Sequence, residues 1–150
     1  MQLKIRKAEL DDIDIITDCN IALALETEGL NLDRRTVRHG VKRLLENGLM
    51  GFYLIAEVEG NPAGQLLITT EWSDWRDGIL WWIQSVYVQP SFREKGIYGN
   101  MYKTVKEMAS NNADIRGFRL YVEKGNRPAI AVYEALGMKE THYKMYEELF

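Results

Sequence analysis

The sequence predicts a mixed-sheet domain of the α/β type (an α+β mixed sheet) with helices on its faces, and three observations predict it. Between Phe52 and Val88, three apolar-rich runs are separated by the turns Glu59-Gly60-Asn61-Pro62 and Arg76-Asp77-Gly78, which marks an antiparallel meander. From Ile97 onward the apolar spacing becomes helical. The next strand, Phe118 to Val122, is therefore reached from Val88 only through a helix, which requires a parallel pairing with a right-handed crossover. Two stretches before the meander also carry one-sided apolar stripes at helical spacing.

Each element follows in order. Leu3 to Ala8 alternates and reads as a strand. Asp11 and Asp12 open a helix striped by Ile13, Ile16, Cys19 and Leu23, where early acids suit the positive end of the helix dipole. Glu26 to Asp33, with Gly29, reads as a loop. Asp33 caps a second helix striped by Val37, Val41, Leu44 and Leu45 and ended by Asn47-Gly48. The meander strands are Phe52–Glu59, Ala63–Trp72 and Ile79–Val88, the last stopped by Gln89-Pro90. Ile97, Met101, Val105, Met108 and Ala109 stripe a third helix, closed by Asn111 and Asn112. Asn126 caps a fourth, with Pro128 in its first turn and Gly137 at its end. Lys139 to Leu149 reads as a final strand. Without repeats or linkers, 150 residues suit one domain, 1–150.

Composition excludes several functions. A formal net charge of -3 argues against nonspecific nucleic-acid binding, which needs a basic face. Cys19 is the one cysteine, so no internal disulfide forms, and it sits in an apolar helical pattern with no histidine to activate it. With only His39 and His142 besides, no metal-ligand cluster is recognisable. No signal-peptide core opens the chain, and no apolar run approaches the roughly 20 residues that span a bilayer. The expectation is a soluble cytoplasmic protein with no membrane or nucleic-acid partner. Edge strands and exposed aromatics make a homodimer compatible with the sequence.

The most informative segment is Val86 to Tyr102. A strand ends, a short loop carries Arg93, Lys95 and Gly96, and a long helix starts at once, which presents free backbone N–H groups and a positive helix end to an anion. An ordinary helix start is the competing reading, since Ser91-Phe92-Arg93-Glu94 has the form of a capping box. The segment is neither a Walker loop, lacking Gly-Lys-Ser/Thr, nor a dinucleotide fingerprint. A second block follows on the next strand–helix unit: Tyr121-Val122-Glu123-Lys124-Gly125-Asn126, then Tyr133 and Leu136-Gly137-Met138.

On these two blocks the chain resembles the GNAT superfamily of acyl-CoA N-acyltransferases, over essentially its whole length and most strongly from Gln84 to Met138. The family turn, Gln/Arg-x-x-Gly-x-Gly/Ala, stands here as Arg93-Glu94-Lys95-Gly96-Ile97-Tyr98. Tyr98 replaces the small sixth residue, Gly99 comes one later, and a large side chain is thereby expected near the pyrophosphate. The second family block is matched by Asn126, Tyr133, Gly137 and Met138, with Met138 in place of phenylalanine. The resemblance implies a GNAT-like fold in which strands Ile79–Val88 and Phe118–Val122 splay apart. Acetyl-CoA is implied as co-substrate, with no metal. Its pantetheine arm would lie along the backbone of Val86, Tyr87 and Val88, and its pyrophosphate on the N–H groups of Arg93, Glu94, Lys95, Gly96, Ile97, Tyr98 and Gly99. Asn126 and Tyr133 complete the implied cofactor set.

The resemblance further implies direct attack of a neutral primary amine, of a small molecule or a peptide, on the thioester. The Val86 region would supply a backbone donor to the developing oxyanion, and Tyr133 would stand near the sulfur. A phenol pKa of about 10, against about 8.5 for a thiol, makes full proton transfer uphill by roughly 2 kcal/mol, though a hydrogen bond alone assists. Many members carry glutamate where this chain has Gln84. Glutamine cannot accept the amine proton, so Gln84 would orient a water or the acceptor, leaving Glu26, Glu28, Glu71 and Asp74 as substitute bases. Acceptor recognition is expected from Glu26, Glu28, Glu71, Trp72, Asp74 and Trp82, in which tryptophans beside acids suit a cation. Two rival readings remain: a noncatalytic acyl-CoA-binding or sensing module, favoured by Gln84, and an unrelated nucleotide-binding domain, which leaves Asn126 and Tyr133 unexplained.

Overall fold

The computed structural model describes residues 1–150. Five strands form, β1 (Leu3–Lys7), β2 (Gly51–Val58), β3 (Asn61–Ser73), β4 (Gly78–Val88) and β5 (Ile115–Arg119). They pair in the order β1-β2-β3-β4-β5. The first three pairings are antiparallel and β4–β5 is parallel. Four helices flank the sheet: α1 (Ile13–Glu28), α2 (Arg34–Glu46), α3 (Ile97–Ser110) and α4 (Arg127–Ala135). No helix is long and apolar enough to cross a membrane.

Two apolar layers hold the sheet, one on each face. The stripe of α2 packs with Ile16 of α1 against Tyr53, Ile55 and Leu67. On the opposite face Ile97, Met101 and Val105 of α3 pack against Leu54, Leu66, Ile68, Trp81 and Ile83. Trp81 sits between Phe52 and Phe118, with ring centroids at 5.5 and 6.3 Å. Capping follows the sequence: the Thr36 N–H donates to Asp33 at 3.0 Å and the Ala129 N–H to Asn126 at 3.3 Å. Arg6 ties β1 to the start of α1 and to β2, donating to Asp12 at 2.8 Å and to Glu57 at 2.9 Å.

One irregularity decides where the site lies. The β3–β4 register shifts between Gln65 and Leu67, so that Ser85 and Val86 of β4 together face one residue of β3. Ser85 adopts φ 49°, the left-handed region that non-glycine residues seldom enter, as a β-bulge requires. The extra residue reverses the alternation. Trp81 and Ile83 face α3 before the bulge, and Val86 and Val88 do so after it. Pairing with β5 has already ended at Trp82↔Arg119, so β4 runs on to Val88 with no strand beside it on that edge.

Three expectations change. The strand expected at Phe118–Val122 is Ile115–Arg119, because β4 diverges past Trp82 and leaves Leu120 to Val122 nothing to pair with. Glu26 and Glu28 lie in the last turn of α1, not in a loop, because the helix runs on until Gly29 caps it at φ 65°. Lys139 to Leu149 is not a strand: the segment makes no backbone–backbone hydrogen bond beyond Met138, and its Tyr143 N–H donates only to the nearby Thr141 Oγ1, at 3.3 Å.

Candidate functional site

The loop between β4 and α3 is built to hold an anion. Glu94 and Gly96 both lie in the left-handed region, at φ 61° and 73°, and α3 begins directly after Gly96 with no side-chain cap. The capping-box reading of Ser91 and Glu94 is thereby overturned, since Pro90–Phe92 forms a separate 3-10 turn. The first helical bond is Asn100 N–H to Gly96 O, at 3.1 Å. The six preceding N–H groups, from Glu94 to Gly99, have no acceptor within the protein. Successive free amides in such a turn, at a helix N-terminus, form a concave nest for phosphate oxygens.

Side-chain charge braces the turn instead of lining it. Arg93 donates from Nε to Val88 O at 2.8 Å and from Nη2 to Glu26 at 2.7 Å. Tyr87 donates its hydroxyl to the other Glu26 oxygen at 2.8 Å. Hydrogen bonds from Arg93, then Tyr87, hold the Glu26 carboxyl below its usual range, while burial and Glu26 push the Tyr87 phenol up to about 12. Lys95 donates to Ser91 O at 3.0 Å. The turn is thus strapped to α1 and to the end of β4, leaving the backbone as the free donor set.

Tyr98 does not stand in the turn. Its ring lies beside Tyr102 and Tyr133, with centroids at 6.2 and 5.7 Å, and its hydroxyl is buried without a partner. It fills the seam between α3 and α4. Tyr133 is half-buried and packs edge-on against Tyr98, and its hydroxyl makes no hydrogen bond within the protein. Burial pushes the Tyr133 phenol above the ordinary tyrosine value.

The other face of the sheet carries the polar groups of β3 and β4. Gln84 spends its amide N–H on Thr69 Oγ1 at 2.5 Å, which leaves its carbonyl oxygen free as an acceptor. Further along, Glu71 accepts from Trp82 Nε1 at 2.8 Å and from Arg119 at 2.9 Å. A cavity of about 250 Å³ lies there, walled by Glu71, Trp72, Asp74, Trp75, Arg119 and Tyr143 among others.

Comparison with known proteins decides the family. The Acetyltransferase (GNAT) family matches residues 23–138. The chain belongs to the GNAT acetyltransferase family. It is 43% identical to a solved protein described as a possible acetyltransferase from Clostridium difficile 630, with TM-score 0.92 over 100% of this chain and 99% of that one. The fold also matches a predicted acetyltransferase with acetyl-CoA from Clostridium acetobutylicum (22% identity, TM-score 0.80, 98% of this chain and 96% of that one). A ribosomal-protein-alanine N-acetyltransferase from Brucella melitensis biovar Abortus 2308 shares it too (17%, TM-score 0.78, 99% of both). A search of curated proteins finds no match. As a GNAT member the chain is an acyltransferase, of a family that uses acetyl-CoA.

Within this GNAT frame the structure gathers some expected residues and separates others. Val86, Val88, the amides of 94–99 and Tyr133 border the splay or the α3–α4 seam, whereas Gln84, Glu71, Trp82 and the cavity lie on the α1–α2 face. Glu26 belongs to the turn through Arg93, far along the sheet from Glu71, and Glu28 is exposed at the end of α1. Cys19 is buried and its thiol pushed up to about 11, which suits packing. Sequence reasoning missed Gln65, which is fully buried and donates to Asn20 at 2.7 Å and to Ser85 O at 3.1 Å, pinning the bulge. Its signal was a lone amide in the apolar run Ala63 to Ile68. Arg119, the partner of Glu71, gave no such signal.

Proposed function

We propose that residues 1–150 work as a single N-acetyltransferase domain, carrying acetyl from acetyl-CoA to a primary amine of a small molecule or peptide by direct attack. The observation that carries this reading is the run of six free amides from Glu94 to Gly99, directly after the end of β4 that has no partner strand on its β5 side. These residues fit the diphosphate and arm of the carrier, and the bound carrier supplies the activated acetyl group. Asn126 caps the start of α4, and we assign it to the same carrier site.

The chain's own residues divide the remaining work. The bulged backbone at Val86 presents a donor for the carbonyl oxygen on which negative charge grows. Tyr133, whose phenol burial keeps protonated, donates a hydrogen bond to the departing sulfur; proton loss from it is harder than from an ordinary tyrosine. On the opposite face the Gln84 carbonyl accepts a hydrogen bond from the incoming amine and orients it. No strong base stands there. Glu71 is held by Arg119 and Glu26 by Arg93, so the amine enters as free base or loses its proton to water.

Acceptor selection is assigned to the cavity beside Trp72, Asp74 and Trp82. Because Arg119 already neutralises Glu71, Asp74 is the carboxylate left to attract an ammonium group. The test is a panel of primary amines with acetyl-CoA, following release of the free thiol. Turnover on at least one amine, reduced at least tenfold in Asp74→Asn at subsaturating amine, is the expected outcome. CoA binding with no turnover on any amine would favour an acyl-CoA-binding module.

A further inference from the structure

We propose that Gln65, which touches no reacting atom, is a positioning residue for the acyl transfer: together with Asn20 it fixes the Ser85–Val86 peptide unit and so aims the Val86 N–H at the thioester carbonyl. The inference rests on the assignment of that N–H to the developing oxyanion. Gln65 lies on β3, on the face that alternation gives also to Leu67, and is 1% exposed. It is a polar side chain set into the apolar layer beneath α1 and α2.

What Gln65 does there is visible in its bonds. Its amide nitrogen donates one proton to Asn20 Oδ1 at 2.7 Å and the other to Ser85 O at 3.1 Å. Both protons are thereby used, and the side-chain oxygen is buried with no partner. A methionine of similar volume would fill this place without leaving a polar atom unpaired, so packing does not account for the amide. Asn20, on α1, donates in turn to the Tyr53 hydroxyl at 3.4 Å, which turns its own oxygen toward Gln65. Tyr53 belongs to the apolar layer, where water does not compete for these bonds.

The carbonyl of Ser85 and the N–H of Val86 are the two ends of one trans peptide unit. They point in opposite directions from a rigid plane, so a bond that holds the carbonyl also sets the aim of the N–H. The hold is needed because Ser85 sits at φ 49°, a conformation that a non-glycine residue keeps only when its neighbours impose it. β5 gives no help, since its pairing with β4 ends at Trp82. The helix that carries Asn20 also carries Glu26, which anchors Arg93. α1 thus fixes both the bulge and the anion-holding turn.

Carbon NMR of the full-length chain, saturated with acetyl-CoA carrying an isotope label at the carbonyl, reads the aim of the N–H directly and needs no amine acceptor. A hydrogen bond to the thioester oxygen moves the carbonyl resonance downfield on binding. In Gln65→Met, close in volume but without a donor, most of that shift should be lost, and kcat on an amine that the parent chain acetylates should fall by about 10²-fold. The dissociation constant for CoA, which has no acyl oxygen, should stay within about threefold. Asn20→Ala, at a half-buried site, should move the same readouts in the same direction by a smaller factor, and it carries the test if Gln65→Met does not fold. A lower melting temperature with the bound resonance and kcat unchanged would make Gln65 a packing residue and overturn the proposal. A parent chain whose bound resonance does not shift would overturn the Val86 assignment itself, and this inference with it.

Discussion

Tyr133 and Gln84 stand on opposite sides of the sheet, and each has one polar atom left free by its surroundings. The Tyr133 hydroxyl has no protein partner, and burial holds its proton on. Its effect is therefore a hydrogen bond made as the sulfur gains charge, not a completed proton transfer. Tyr133→Phe should lower kcat by about 10²-fold while the dissociation constant for CoA, measured by calorimetry, stays within about threefold. Equal losses in both would reduce Tyr133 to a packing residue. Gln84, with its N–H spent on Thr69, keeps an oxygen that accepts but does not titrate. The rate at subsaturating amine should then rise tenfold per pH unit until the acceptor's own pKa, with no lower-pH limb from an enzyme base. Gln84→Glu supplies the missing base and should raise the rate at neutral pH, by up to roughly 10²-fold. An unchanged pH profile in that variant would place the deprotonation elsewhere.

At the scale of elements, the turn before α3 and the bulge in β4 make the site, and they were legible to different degrees. The turn could be read because its conformation demands residue types: Gly96 occupies a left-handed position and the helix follows at once. Gly96→Ala strains that position by roughly 1–2 kcal/mol. It should weaken CoA binding at least tenfold, while thermal melting falls only by the few degrees such a strain implies. The bulge could not be read, since Ser85 is an ordinary strand residue and its left-handed conformation is imposed by neighbours. Gln65, buried and donating to Ser85 O, imposes it from the next strand, and that contact spans twenty residues of sequence. The same limit explains Arg119. Its role depends on the β4–β5 register, which local pattern does not encode. The final strand failed for a complementary reason: Lys139 to Leu149 has strand periodicity, but an edge to pair with is a property of tertiary or quaternary structure.

At the scale of the whole molecule, two apolar layers of different origin clamp one sheet, and β4 parts from β5 past Trp82. The face bearing α1 and α2 is fixed partly by charge. Arg6 holds Asp12, and this hydrogen bond, joined by the backbone N–H of Glu9, depresses the Asp12 carboxyl below its unfolded value near 3.8. The stability it contributes is complete above that value and is lost as pH falls through the lower native one. Asp12→Asn should therefore cost about 3 kcal/mol at neutral pH, constant across the neutral range, with the gap from the parent chain closing only in acid. Urea unfolding at stepped pH checks this; a gap that widened in acid would contradict it.

Carrier recognition by backbone amides underlies both the assigned chemistry and the division of the sheet into two faces. Isothermal titration with CoA and with pantetheine, which lacks the diphosphate, tests it most directly. The expected result is saturable CoA binding and a loss of about 10²-fold or more for pantetheine, equivalent to roughly 3 kcal/mol. Equal affinity for the two, or no heat with CoA, would contradict the anion-holding role of residues 94–99.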